Sequence, residues 1–255
     1  MKTPEDIVAM KGKEKITMLT CYDYSFASLM DGMVDILLVG DSLGNVILGY
    51  DTTQKVTMED MLRHTAAVSR GAKNTLIVGD LPYQSYETKE DAAKNGRLLL
   101  KAGAHAVKPE NKPEIAAALV MEGIPVMGHI GLLPQTAEKY TVQGRDEKAA
   151  QQLIKDAKAL ENAGAFSLVI ESVPSALARE ITEMVSIPTI GIGAGPSCDG
   201  QVVVSYDLLG IFNKFRPKFV KRYAQLDKAV KEAVAQYAKE VKSGAFPTKE
   251  FSFEK

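Results

Sequence analysis

The sequence predicts an α/β protein that folds as a single (β/α)8 TIM barrel, and three observations support this prediction. Short runs of apolar and β-branched residues alternate along the chain with longer segments of helical spacing. Roughly eight such units occupy 255 residues, a usual length for one barrel domain. Glycine-containing turns join helical segments to the next apolar run, as at Gly103, Gly123 and Gly164. An open doubly wound sheet would show the same alternation, but the number of units favours a closed barrel.

Strands are predicted where a short apolar or β-branched run ends in a polar residue or a turn. Seven runs fit this description, and the eighth strand is predicted at either 202–205 or 208–212. The seven runs are residues 16–21, 36–39, 76–78, 106–108, 126–129, 168–170 and 189–192.

Helices are predicted in the longer segments between these strands. No internal repeat or low-complexity linker marks a second domain, so residues 1–255 are expected to form one domain. An amphipathic helix is predicted at about 226–243, with a packing role on the barrel or on a neighbouring subunit. The other predicted helices are residues 58–70, 89–101, 112–122, 147–163 and 175–185.

The composition excludes several classes of partner. Lysine and arginine total 31 against 32 aspartate and glutamate, without a basic run, so no nucleic-acid partner is expected. No apolar stretch is long enough to span a membrane, and residues 1–15 lack a signal-peptide pattern, which predicts a cytoplasmic location. Cys21 and Cys198 lie far apart without metal-binding spacing and are expected to be free thiols.

Charged and polar side chains collect where the predicted strands end. In a parallel barrel the carboxyl ends of the strands and the loops after them form the active face, so these residues are expected on one rim. They are Asp41, Ser42, Asp80, Lys108, Glu110, His129 and Glu171.

Three of these residues are candidate metal ligands. Asp41, Asp80 and Glu110 supply hard oxygen donors, and carboxylates gathered on one rim would repel each other without a cation between them. Mg²⁺ is the predicted ion. The alternative is that each Asp caps the helix or loop that follows it, and Ser42 has the same alternative as a capping hydroxyl.

The basic residues and the remaining acid suggest how a substrate could be held and deprotonated. Lys108 could bind a substrate carboxylate or stabilise an enolate oxygen, or form a structural salt bridge with Glu110. His129 is either a pocket residue or a satisfied core histidine. Glu171 is the candidate general base because partial burial would raise its pKa toward neutrality, and a structural salt bridge is its alternative role.

Two further sequence features carry no site prediction. His64 lies inside a predicted helix and His105 precedes a predicted strand, so both are expected to be structural. The run GIGAG at residues 191–195 lacks the full GxGxxG pattern and its first-strand context, so NAD binding is rejected in favour of a tight loop against substrate or cofactor.

The motifs around these residues carry a specific resemblance. The segments ILLVGDSLGN, LIVGDLPYQSY, GIPVMGHIGLLPQ, LVIESVP, SIPTIGIGAGPSCDGQ and FRPKFVKRYA stand in this order along the chain. In sequence and order they resemble the ketopantoate hydroxymethyltransferase family, over roughly residues 16–247.

The resemblance implies a barrel of the phosphoenolpyruvate/pyruvate superfamily and a one-carbon transfer. The family converts 3-methyl-2-oxobutanoate and 5,10-methylenetetrahydrofolate into 2-dehydropantoate, a step toward pantothenate. It also implies large homo-oligomers, often decamers, so a decamer is expected here. A Mg²⁺-dependent 2-oxo acid C–C lyase of the same superfamily and a non-catalytic metabolite-binding barrel are the alternatives.

The same resemblance implies a role for each rim residue. Asp41 and Asp80 would bind Mg²⁺, and Glu110 would join the metal site directly or through water. Glu171 would accept the proton. The residues expected to contact the oxo acid are Asp41, Ser42, Asp80, Lys108 and His129.

This chain departs from the family pattern at three places. Pro109 stands between Lys108 and Glu110, where it fixes φ and removes a hydrogen-bond donor. The direction in which the Glu110 side chain points therefore does not follow from the resemblance. The segment 136–141 is shorter than the usual loop, which affects the expected cover over the site. Isoleucine and serine flank Glu171 in place of the frequent leucine and cysteine, and the carboxylate is kept.

Overall fold

Eight parallel strands form the centre of the computed structural model, which describes residues 1–253. Four of the seven strands predicted with a single range differ from it by one or two residues at an end, and the other three keep their predicted bounds. The strands are β1 (Ile16–Thr20), β2 (Ile36–Val39), β3 (Leu76–Asp80), β4 (Ala106–Lys108), β5 (Met127–Gly131), β6 (Ser167–Glu171), β7 (Thr189–Ile192) and β8 (Gly200–Val203).

The strands follow one another around a barrel. The sheet runs in the order β4-β3-β2-β1-β8-β7-β6-β5, and every pairing in it is parallel. Within the described residues, β4 meets the start of β5 through a single bridge between Val107 and Val126, where the Val107 N–H donates to the Pro125 carbonyl at 2.9 Å. The predicted (β/α)8 barrel is confirmed.

The eighth strand resolves the one ambiguous prediction. Strand β8 begins at Gly200 and overlaps the first alternative, whereas the second alternative, 208–212, is wrong. Gly200 pairs with Ile16, and a Cβ at this glycine would lie 2.5 Å from the Ile16 carbonyl oxygen, so the two backbones need a glycine there. The second run instead starts inside a helical turn and meets Gly210, whose φ of 67° is left-handed.

Ten helices are described, and the five predicted between strands are confirmed with ends shifted by at most one residue. Two helices missed from the sequence begin at side-chain caps, since Thr3 and Asp23 accept hydrogen bonds from the backbone of Asp6 and Phe26. The helices of the barrel region are α1 (Pro4–Met10), α2 (Tyr24–Met30), α3 (Leu43–Val46), α4 (Met58–Gly71), α5 (Lys89–Ala102), α6 (Pro113–Met121), α7 (Glu147–Asn162) and α8 (Ser175–Met184).

Apolar side chains fill the barrel between the starts of the strands. Ile16, Ile36 and Leu76 come from the first residues of three strands and belong to one buried cluster. Ile7 and Met10 of α1 belong to the same cluster, so α1 covers the amino-terminal end of the barrel. The carboxyl ends of the strands are thereby left for polar side chains.

The start of α4 supports a stability prediction. Thr57 and Asp60 form a capping box, in which each side chain accepts a hydrogen bond from the other's backbone N–H. Thr57→Ala should lower the free energy of unfolding by about 1 kcal/mol, measured by urea denaturation. Thr248→Ala is the control, because within the described residues that hydroxyl caps no backbone N–H of the turn that follows. Equal losses in both variants would contradict the prediction.

The described chain from Ser205 onward forms a compact unit of its own, and Met1–Val204 form the other. This unit contains α9 (Ser205–Leu208) and α10 (Leu226–Ser243). None of the 18 residues of α10, all of them described, is buried, and Val230, Val234 and Tyr237 are exposed. The single domain over 1–255 stays a prediction. No helix among the described residues is long and apolar enough to cross a membrane.

Candidate active site

The strand-end residues predicted from the sequence lie together at the carboxyl ends of the strands. Asp80, Lys108 and Glu171 are the last residues of β3, β4 and β6. Asp41 and Glu110 follow the ends of β2 and β4 by two residues. Parallel strands bring these ends to one rim of the barrel. His129, predicted to be the last residue of its strand, is the middle residue of β5 and lies two residues before the strand's end.

A buried ion pair joins two of these strands. The Lys108 ammonium lies 3.0 Å from Asp80 Oδ1, and both side chains are at most 7% exposed. The Asp41 backbone N–H donates to Asp80 Oδ2 at 3.0 Å. Lys108 is thus paired with Asp80 and not with Glu110, the partner considered in the sequence.

Burial and neighbouring negative charges raise the pKa of two carboxyl groups on this rim. Burial, reinforced by the charge of Asp80, raises the pKa of Asp41 to about 7. Burial and the charge of Asp41 raise the pKa of Glu110 to about 8. Burial would lower the pKa of Lys108, but the charges of Asp80 and Asp41 outweigh it and raise that pKa. With all three carboxyl groups ionised, the cluster would therefore hold more negative charge than the Lys108 ammonium compensates.

This donor set fits a divalent cation. Glu110 Oε2 is buried and makes no hydrogen bond within residues 1–253. Carboxylate oxygens are the donors that Mg²⁺ prefers, and a cation would relieve the charge excess. As the side chains stand, no three His, Cys, Asp or Glu residues of the described chain are grouped to enclose an ion. Enclosing an ion would therefore need a rearrangement of acidic side chains such as Asp80, which now contacts Lys108.

A second pair of residues is suited to moving a proton. His129 Nε2 lies 3.3 Å from Glu171 Oε2. Burial, with the nearby Lys108 charge, lowers the pKa of His129 well below its ordinary value, so this imidazole is neutral. Burial raises the pKa of Glu171 to about 7, and Lys108 opposes the rise. The contact is therefore one between a neutral ring and a carboxyl group that titrates near neutrality.

The backbone around Glu171 has little freedom. Gly131 stands opposite Glu171 in the β5–β6 register and has a φ of 95°. A Cβ at Gly131 would lie 2.1 Å from the Glu171 carbonyl oxygen, so no other residue fits there without moving Glu171. Ser172 follows with a φ of 50°, a left-handed conformation that is costly for a non-glycine residue. Glu171 therefore lies between a position on β5 that needs glycine and a strained residue, Ser172, that follows it in the chain.

The side-chain hydrogen bonds of Ser42 and Asp41 differ from the capping contacts that were the alternative prediction for these residues. The Ser42 hydroxyl lies 2.8 Å from the Tyr22 hydroxyl, and within the described residues it makes no capping hydrogen bond to α3. The Asp41 carboxylate accepts from the Gln135 side chain at 2.8 Å. His64 and His105 contact backbone groups of Tyr22 and Ile77, as expected for structural histidines.

Sequence reasoning missed three residues at this site. Gln135 is 2% exposed and contacts the carboxylates of both Asp41 and Glu110. Tyr86 donates to Gln135. Partial burial and the charges of Asp41 and Glu171 raise the pKa of Tyr140, so this half-exposed ring is near enough to the cluster to be affected by its charge. The sequence signal that could have identified these three residues is their position in the loops that follow β3 and β5.

The fold and the rim first define a class: a closed parallel barrel with an acidic site at its strand ends. Solved structures share this fold. Phosphonopyruvate hydrolase matches with a TM-score of 0.66 and 12% identity, covering 100% of this chain and 92% of that one. A 2,3-dimethylmalate lyase, described as a PEP mutase/isocitrate lyase superfamily member, matches with a TM-score of 0.63 and 15% identity, covering 99% of this chain and 93% of that one. At such identities the likeness shows the fold alone.

Sequence comparison then gives the family. Residues 1–249 match the family described as ketopantoate hydroxymethyltransferase. Relatives named 3-methyl-2-oxobutanoate hydroxymethyltransferase include those of Syntrophus aciditrophicus (55% identical, covering 98% of this chain and 96% of the relative) and Heliobacterium modesticaldum (56%, covering 95% and 91%). One from Cenarchaeum symbiosum is 55% identical, covering 96% and 95%. This chain belongs to the ketopantoate hydroxymethyltransferase family, and the resemblance is confirmed.

Proposed function

We propose that this chain is an enzyme that transfers a hydroxymethyl unit from 5,10-methylenetetrahydrofolate to 3-methyl-2-oxobutanoate, giving 2-dehydropantoate for pantothenate biosynthesis. Family membership supports the reaction. The single structural observation that carries it is Glu171, a partly buried carboxyl group with a pKa of about 7, placed 3.3 Å from neutral His129 on the acidic rim.

The substrate's chemistry explains why such a base is needed. The C3 hydrogen of the oxo acid is acidified by the neighbouring C2 carbonyl, but its removal requires a base and stabilisation of charge on the C2 oxygen. Glu171 takes the C3 proton, and a pKa near the working pH suits a general base. The carbon then bonds to the folate's methylene carbon, tetrahydrofolate leaves, and water supplies the hydroxyl oxygen.

The other rim residues bind and orient the oxo acid. In this proposal Lys108 and His129 stabilise the substrate's carboxylate or developing oxyanion, and Ser42 contacts the acid together with Asp41 and Asp80. Asp41, Asp80 and Glu110 would hold Mg²⁺. When bound, a divalent cation would supply Lewis-acid stabilisation for negative charge on the 2-oxo oxygen.

Hydrogen exchange at C3 tests the proposal directly. With Mg²⁺ in deuterated water, the protein should replace the C3 hydrogen of 3-methyl-2-oxobutanoate by deuterium, followed by proton NMR. Product should form only when 5,10-methylenetetrahydrofolate is added. The control substrate, 3,3-dimethyl-2-oxobutanoate, has no C3 hydrogen and should give neither result. Cleavage of the oxo acid without folate would favour the lyase alternative, and absence of both exchange and product would refute the proposal.

The exchange rate should depend on pH in a defined direction. Glu171 must be ionised to accept a proton, and its pKa is raised to about 7. Exchange should therefore rise about tenfold per pH unit below this value and level off above it. Rates measured between about pH 5.5 and 8.5 give the profile. A rate that falls as pH rises through neutrality would contradict Glu171 as the base.

The proposal includes a homo-oligomer in the cytoplasm, with the decamer as the expected form. The exposed side chains Val230, Val234 and Tyr237 on α10 support self-association, because apolar surface of this kind is commonly covered in assemblies. Sedimentation velocity of the purified protein gives the number of subunits, and cell fractionation gives the compartment.

A further inference from the structure

Gln135 uses every polar atom it has, although it lies in a loop. Its side-chain amide nitrogen donates to Asp41 Oδ2 at 2.8 Å and to the Leu81 carbonyl at 2.9 Å. Its backbone N–H donates to Glu110 Oε1 at 3.1 Å. Its carbonyl oxygen accepts from Gln54 at 2.9 Å. This single residue, in the loop that follows β5, thus links the loops that follow β2, β3 and β4.

Tyr86 fixes which way the Gln135 amide points. The Glu110 backbone N–H donates to the Tyr86 hydroxyl at 3.3 Å, and that hydroxyl donates to Gln135 Oε1 at 2.5 Å. A flipped amide would turn its oxygen toward Asp41 Oδ2 and the Leu81 carbonyl oxygen. All three oxygens are acceptors, so both hydrogen bonds would be lost. The chain of donors therefore has one direction, from Glu110 through Tyr86 and Gln135 to Asp41.

This arrangement selects which carboxylate oxygens remain available. Asp41 Oδ2 and Glu110 Oε1 are both occupied by donors of Gln135. Glu110 Oε2 is buried and accepts no hydrogen bond from residues 1–253. Gln135 is 2% exposed and Tyr86 is 4% exposed, so water does not compete for these contacts. Each carboxylate is held by one oxygen while its other oxygen can serve a different partner.

We propose that Gln135 and Tyr86 are positioning residues that hold Asp41 and Glu110 in the orientation required to bind a divalent cation. The inference rests on the cation of the proposed function and adds the residues that orient its ligands. Groups that hydrogen-bond to metal ligands typically change metal affinity 10–100-fold when they are removed.

Mg²⁺ binding in the absence of substrate tests this role. Isothermal titration calorimetry should show that Gln135→Met, which keeps the length but removes the amide, binds Mg²⁺ about 10–100-fold more weakly than the wild type. Tyr86→Phe removes one hydroxyl and should weaken binding about tenfold. Gln54→Ala is the matched control, because it removes a contact to the Gln135 carbonyl without touching a carboxylate, and should stay within about twofold of the wild type.

Thermal denaturation without Mg²⁺ separates positioning from a structural role. A variant of Gln135 or Tyr86 that melts at a lower temperature but binds Mg²⁺ like the wild type would overturn the inference. If Gln135→Met fails to fold, Tyr86→Phe decides, since it changes a single hydroxyl in a ring of the same shape. A wild-type protein that binds no Mg²⁺ also overturns the inference, while hydroxymethyl transfer is judged separately by C3 exchange and product formation.

Discussion

Glu171→Gln is expected to slow exchange of the C3 hydrogen of 3-methyl-2-oxobutanoate by about 10²–10⁴-fold. The substitution keeps the shape of the side chain and removes the group that accepts the proton. Glu171 lies opposite Gly131 in a fixed strand register, so an amide at the same position keeps its place. Proton NMR in deuterated water measures the loss.

Two controls make this result specific. Binding of the oxo acid, measured by calorimetry, should change little in Glu171→Gln because the proposed carboxylate contacts remain. Glu180→Gln alters an exposed carboxylate on the neighbouring helix α8 and should exchange at the wild-type rate. Unchanged exchange in Glu171→Gln would remove this residue from the role of base.

Lys108→Met is expected to lower the free energy of unfolding by roughly 3–5 kcal/mol and to abolish hydroxymethyl transfer. The ammonium is 3.0 Å from Asp80 in a pair that is almost fully buried. Without it, Asp80 is a buried carboxylate lacking its counter-charge, next to the already crowded Asp41. Urea denaturation without metal measures the stability loss.

The chain offers a matched control for this effect. Lys112 pairs with Glu87 at the same 3.0 Å, but the two side chains are 34% and 57% exposed. Solvent screens such a pair, so Lys112→Met should cost less than about 1 kcal/mol. Similar losses in the two variants would show that burial does not set the strength of the Lys108–Asp80 pair.

The barrel and much of its rim could be predicted because both depend on local pattern. Apolar runs that end in a polar residue marked seven strands, and parallel strands place their carboxyl ends on one face. That rule alone is enough to bring Asp41, Asp80 and Lys108 together. The eighth strand was ambiguous because both candidate runs are apolar, and the choice depends on the close approach of Gly200 to Ile16.

Other features could not be predicted because their partners are distant in sequence. Gln135 looks like an ordinary loop residue, and its importance comes from contacts with Asp41 and Glu110, far away along the chain. The pairing of Lys108 across the sheet with Asp80, and not with nearby Glu110, likewise depends on strand register. Helix α1 was missed although Thr3 and Asp6 show the spacing of a capping box.

The single backbone bridge between β4 and β5 gives the barrel a seam. It joins the two ends of the eight-stranded sheet, β4 and β5. Strands β1–β4 and the loops after them carry Asp41, Asp80 and Lys108, the groups proposed to bind charge, and β5–β8 carry His129 and Glu171, the groups proposed to move the proton. The side chain of Gln135 crosses this seam, because Gln135 follows β5 and donates a hydrogen bond to Asp41, which follows β2. Where main-chain pairing between neighbouring strands is thinnest, hydrogen bonds from the Gln135 side chain therefore add a connection between the loop after β5 and the loops after β2 and β3.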